Sequence, residues 1–139
     1  MTAKKQELAK KIYLYLAALF ITSLVVSNLI FQKFFYWRPV NISIFGNQLF
    51  ELSVGILPYP ITFLITDLIS EIYGKKKAND VVVAGIFASF FSMGILLIAN
   101  WVPALDHSPI DDTTFNQVFA LSPVAVFASM IAYLLAQLV

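Results

Sequence analysis

The chain has 139 residues, 60% hydrophobic and 12% charged, with a net charge of +1 and a mean hydropathy of +0.83. Soluble domains run nearer half apolar and a quarter charged. This is therefore membrane-protein composition, and no basic surface argues for nucleic acid. Cysteine is absent and His107 is the only histidine, which excludes disulfides, thiolate or histidine metal clusters and Ser-His-Asp triads.

Residues 1–11 are polar and carry Lys4, Lys5, Lys10 and Lys11. From Ile12 to Phe31 no charge occurs, a run long enough to cross ~30 Å of hydrocarbon at ~1.5 Å per residue. It exceeds the ~7–15 residues of a signal-peptide core, and no small-residue cleavage site follows, so it reads as a retained first span, about 12–32. Tyr13 and Tyr15 at its start, and Tyr36 and Trp37 past its end, occupy the positions of interfacial aromatic belts.

Val40 to Leu52 reads as a short β-hairpin at the membrane surface, entered at Pro39 and turning at Gly46-Asn47. The second span, about 53–73, is interrupted by Gly55, Pro58 and Pro60, because proline lacks the N–H and clashes with the preceding turn. A helix starting near Pro60 and capped by Gly74 fits better. It would measure about 21 Å by helical rise, too short to cross alone. Irregular backbone at membrane depth survives only inside protein or beside a water-filled cavity, and broken helices of this kind line transporter sites.

Lys75, Lys76 and Lys77 then read as a loop that sets topology, and Asp80 as the cap of a third span, about 81–102. The stretch Pro103 to Asn116 is polar and acidic. Ser122-Pro123 reads as N-cap and N1 of a fourth span, about 122–139, inside which the chain ends. The whole is expected to be one membrane domain, 1–139, cut from a longer protein. The N-terminal tail and the 74–80 segment hold seven of the nine Lys and Arg residues. The positive-inside rule places both in the cytoplasm, with Lys33 and Arg38 on the other side against it.

Asp67 and Glu71 stand four residues apart in the second span and so share a helix face, with Thr62, Thr66 and Ser70 beside them. A charge at the bilayer centre costs at least ~2.5–3.5 kcal/mol, so intramembrane carboxylates point to a substrate or proton site. Glu71 can equally pair with Lys75 near the helix end. Catalysis or a metal site would need a third ligand or a nucleophile, and none is offered; the chain reads as a non-enzyme without a cofactor. Asn28 on the first span can read donors and acceptors on a ligand edge or hydrogen-bond another helix. Gly85, Ser89 and Ser92 make a small-residue packing face on the third span. Ser129, Tyr133 and Gln137 recur every four residues on the fourth.

The stretch SVGILPYPITFLITDLISEIYGKKKANDVV, with SNLIFQKF upstream and ASMIAYLLAQLV downstream, resembles the queuosine precursor transporter family, also called the vitamin uptake transporter family. The resemblance implies an inner-membrane importer of about six spans for 7-cyano-7-deazaguanine or 7-aminomethyl-7-deazaguanine. It marks Asn28, Asp67, Glu71 and Gln137 as substrate-binding residues. A 7-deazaguanine edge offers an amine and a ring N–H, which a buried carboxylate accepts together, while amides read the carbonyl and an aromatic ring covers the flat face.

The expected fold is thus an all-α integral membrane protein of four transmembrane segments, the second broken, with a short β-hairpin between the first two. The expected partners are a deazapurine and the lipid bilayer, with a homo-oligomer or a coupling subunit left open. A substrate-capture subunit of an energy-coupled system, whose ATPase would be a separate chain, and a non-transporting membrane scaffold are the alternative functions.

Overall fold

The computed structural model describes residues 2–36 and 51–138, without the side chains of residues 36, 51, 133, 134 and 136–138. Helix α1 spans Ala3–Ile30. Strands β1 (Phe34–Tyr36) and β2 (Glu51–Ser53) pair antiparallel, Phe34 opposite Ser53. A 3₁₀ turn, Val54–Ile56, leads into α2 (Tyr59–Tyr73), and Gly74 alone separates α2 from α3 (Lys75–Trp101). A short helix, α4 (Asp112–Phe119), precedes α5 (Ser122–Leu138). Among the described residues, four segments are long and apolar enough to cross a membrane: α1, the 3₁₀ turn with α2, α3, and α4 with the first part of α5.

The chain is an all-α bundle with one small sheet, as its hydropathy requires. A small antiparallel sheet does lie between the first two crossings, pairing 34–36 with 51–53, while the expected hairpin from Val40 with its Gly46-Asn47 turn lies, up to residue 50, outside the described residues. The second crossing is broken where the prolines predict. Pro60 sits in the first turn of α2, where its missing N–H has no helical partner to lose. The Ser53 hydroxyl accepts from the Gly55 N–H at 3.2 Å and donates to the Phe31 carbonyl, which ties the break to the end of α1. Gly55 is buried there. A Cβ on it would stand 3.0 Å from the Ser27 carbonyl oxygen and 3.1 Å from the Phe31 Cβ, so only glycine lets the turn approach α1 this closely.

Two expectations need correction. Lys75 to Lys77 are not a loop, and Asp80 does not cap α3; the lysines form its first turn and Asp80 lies inside the helix. The reversal is complete within Gly74, at φ 90° and ψ 161°, a region of backbone space essentially reserved for glycine. Lysine is a good helix former, but cations at a helix N-terminus oppose the macrodipole, so end-of-helix rules point the wrong way here. Likewise the polar stretch before the fourth span contains α4. Asp111 caps it, accepting from the Thr114 N–H at 2.7 Å, and that hydrogen bonding holds the Asp111 carboxyl below its ordinary value. Ser122 is therefore the first residue of α5 rather than its cap, and its fully buried hydroxyl has no partner among the described residues.

Helices α1, α2 and α3 share one core, built from Phe20, Ile65, Ile69 and Val81 with Leu16, Ala17, Leu24 and Val82 against it. In lipid, burial of apolar surface between helices gains little over lipid contact, so close packing and hydrogen bonds carry the association. Val81, Gly85, Ser89 and Met93 recur every four residues as the buried stripe of α3. At the Gly74 end a polar clamp joins the hairpin to α1. The Tyr73 hydroxyl donates to the Ala9 carbonyl at 2.6 Å, and the Tyr13 hydroxyl to the Lys77 carbonyl at 3.2 Å. The two tyrosine rings meet edge to face at 5.3 Å, and the Lys77 ammonium sits 5.3 Å from the Tyr13 ring centre. The outer surfaces expose Leu64, Phe87, Phe91 and Trp101, an apolar coat suited to lipid rather than water.

Gly74→Ala is expected to lower stability by about 1–3 kcal/mol, the cost of forcing a side chain into that backbone region. Gly94→Ala, where an added Cβ meets nothing within 4 Å, serves as the control. Thermal unfolding of the purified protein in detergent compares them, and the Gly74 variant melts clearly earlier.

Candidate functional site

A cavity of about 650 Å³ runs along α2, walled by α1, α3 and α5, within the ~300–1,000 Å³ usual for small-molecule sites. Asn28 reaches it from α1, and Asp67 from α2 with Thr62, Thr66 and Ser70. The break at Gly55 to Pro58 delays the start of α2 to Tyr59; on that helix Thr62 is buried, Thr66 and Ser70 are half-buried, and Asp67 is exposed at the cavity's edge.

The side chains divide by how their hydrogen bonds are used. Thr62 donates to the Tyr59 carbonyl at 2.6 Å, and Thr66 to Thr62 and Phe63 at 3.0 and 2.9 Å. Ser89 donates to Gly85 at 2.9 Å and Ser129 to Ala125 at 2.7 Å. A hydroxyl has one proton to give. With that proton committed to its own helix, each meets the cavity as an acceptor. A carboxylate such as that of Asp67 also offers acceptor oxygens. Most of the α2 wall thus suits a ligand rich in N–H donors. Donors come from Asn28, which is buried, and from Lys75, Lys76 and Asn79 at one end of the cavity.

The four residues singled out from the sequence are placed differently. Asn28 and Asp67 line the same cavity. Glu71 is exposed on α2 but does not line it. Each step of four residues advances about 40° around a helix, and the cavity face runs through Tyr59, Phe63, Thr66 and Ser70. Asp67 sits at its edge, and the next step carries Glu71 past it. Gln137 lies in α5, and its side chain is outside the described residues, as is that of Tyr133.

Sequence reading missed Lys75, Lys76 and Asn79 as lining residues because it placed the lysines in a loop; the single-residue Gly74 turn was the available signal. It also left the aromatic wall unnamed. That wall is Phe20, Tyr59 and Phe63. Gly85 and Ser89, expected to be packing residues, are buried as such, and Ser89 reaches the cavity as well.

Among the described residues, four segments apolar and long enough to cross a membrane, with a cavity between them, define a multi-pass membrane protein. Over residues 53–139 the chain matches the family described as "Putative vitamin uptake transporter", and it belongs to that transporter family. No curated protein and no solved structure matches it. The matched stretch includes Asp67, Glu71, Gln137 and the whole of α3; Asn28 precedes it.

The cavity's back wall depends on Gly85, where an added Cβ would lie 2.7 Å from Cε1 of Phe20. Gly85→Ala must turn that ring. Overpacking of this kind costs about 1–3 kcal/mol. The variant is expected to melt earlier in detergent than Gly94→Ala.

Proposed function

We propose that this protein imports a precursor of queuosine, 7-cyano-7-deazaguanine or its 7-aminomethyl relative, across the bacterial inner membrane. The observation that carries the reading is the position of Asp67, a carboxylate exposed at the edge of a cavity of small-molecule size. Membership of a vitamin uptake transporter family supports transport as the activity.

In this reading Asp67 accepts the exocyclic amine and the ring N–H of the deazaguanine edge in a charge-assisted pair. The hydroxyl oxygens of Thr62 and Thr66 offer further acceptors nearby. Asn28 reads the ring carbonyl through its amide N–H, and Gln137 joins it from α5. Glu71, one turn beyond the cavity, takes part at the entrance rather than in the pairing. The N-terminus and the α2–α3 turn face the cytoplasm, because the lysines of the tail and of residues 75–77 cluster at that end. The cavity end lined by Lys75 and Lys76 is then the cytoplasmic one. The residues 1–139 act as one membrane domain in this scheme.

Asp67→Asn keeps the size of the side chain but replaces one acceptor oxygen with a donor. It is expected to cut uptake of labelled 7-cyano-7-deazaguanine by about a hundredfold, since one charge-assisted bond of ~1.5–3 kcal/mol is lost and the other loses its charge. Membrane insertion, followed by immunoblot of washed membranes, stays at the parental level. Uptake that survives the change refutes the site assignment, and loss of insertion instead favours a scaffold whose polar stripe only holds helices together.

A further inference from the structure

Among the described residues, three aromatic rings line the cavity, and they are not equivalent. Phe20 is 6% exposed and belongs to the shared core. Its ring presses on Gly85 so closely that a Cβ there would meet Cε1 at 2.7 Å. It is committed to joining α1 and α3 and has no face to offer. Tyr59 and Phe63 are 37% and 60% exposed. They stand one turn apart on α2, with ring centres 5.4 Å apart and planes at 72°.

In that edge-to-face arrangement one ring's edge abuts the other's face. The pair fixes both ring directions and still leaves ring surface open to the cavity. Residues four apart on a helix hold their Cβ atoms about 5–6 Å from each other. Phe63 is therefore placed one turn from Asp67 on the one side and one turn from Tyr59 on the other. A flat ligand whose polar edge meets Asp67 extends over Phe63 by about the width of a fused bicyclic ring. Exposed phenylalanines also occur on α3, at Phe87 and Phe91, but neither lines the cavity.

We infer that Phe63, held in orientation by Tyr59, is the ring on which a planar heterocycle stacks in this cavity, and that it selects flat, aromatic substrates. The inference rests on the reading of the cavity as a deazapurine site. Tyr59 acts through Phe63 as a positioning residue. Phe63 itself touches the ligand.

Uptake of labelled 7-cyano-7-deazaguanine by cells carrying the full chain tests it with Phe63→Leu, Phe63→Trp, Tyr59→Leu and Tyr59→Phe. Phe63→Leu keeps an apolar side chain without a π face. It should raise the KM about tenfold, within the range that loss of base–aromatic stacking gives, with the maximal rate within about twofold of the parent. Phe63→Trp should keep the parental KM. In purified Phe63→Trp protein, added 7-cyano-7-deazaguanine should quench the tryptophan emission in excess of any change in the parent, which has only Trp37 and Trp101. Tyr59→Leu, which lacks the ring that orients Phe63, should raise the KM in the same direction as Phe63→Leu, and Tyr59→Phe, which keeps that ring, should rescue it. A parental KM in Phe63→Leu, or no added quenching in Phe63→Trp while the parent transports, overturns the stacking role and leaves the proposed function standing. Absence of uptake by the parent overturns the proposed function, and the stacking inference with it.

Discussion

A carboxylate held within a hydrophobic crossing is the constraint that organises this chain. At the bilayer centre a charged side chain costs at least ~2.5–3.5 kcal/mol, and Asp67 can be carried only if the bundle gives it somewhere polar to face. The fold supplies that place by shortening the helix. The 3₁₀ turn at Val54–Ile56 and the prolines delay α2 until Tyr59. Gly55 lets the irregular stretch press against α1, where its backbone is covered by protein rather than lipid. The Thr66 face of α2 then opens on a cavity.

The rest of the bundle is arranged to keep that cavity open. Close packing at Gly85 lets Phe20 fill the space between α1 and α3, and the Gly74 reversal brings α3 back along α2 with no loop between. The tyrosine clamp at Tyr13 and Tyr73 fastens the reversal to α1. The hydroxyls of Thr62, Thr66, Ser89 and Ser129 satisfy themselves on their own helices. None then needs a partner helix, and the cleft does not collapse by hydrogen bonding across itself. What remains is a wall biased towards accepting hydrogen bonds.

Much of this was legible before any coordinates. The uncharged run from Ile12 and the one beginning at Val81 exceed the membrane thickness, and proline chemistry placed the break in the second crossing. Helical spacing gathered Asp67 with Thr62, Thr66 and Ser70. Three things were not legible. The Lys75 helix start was hidden because charge near a membrane end reads as loop and because the macrodipole argues against lysine there. The capped helix α4 was hidden by its polar composition, although Asp111 followed by Thr114 carried a capping pattern. The separation of Glu71 from Asp67 depends on where neighbouring helices stand around α2, and no periodicity within one segment contains that. For the same reason the free rings, Tyr59 and Phe63, could not be told from the packed Phe20.

The central claim is that the Thr66 face of α2 meets water inside the membrane while the opposite face, which carries Leu64 and Leu68, meets lipid. The chain has no cysteine, so a single introduced thiol reports without background. Thr66→Cys lies on the cavity wall, and Leu64→Cys, on the same helix, lies on an exposed apolar face away from it. The thiolate, which forms only where water reaches, is the nucleophile that attacks a maleimide. In membrane vesicles a water-soluble maleimide should label Thr66→Cys readily and Leu64→Cys hardly at all; equal rates at the two positions, or an inert Thr66→Cys, would contradict the account.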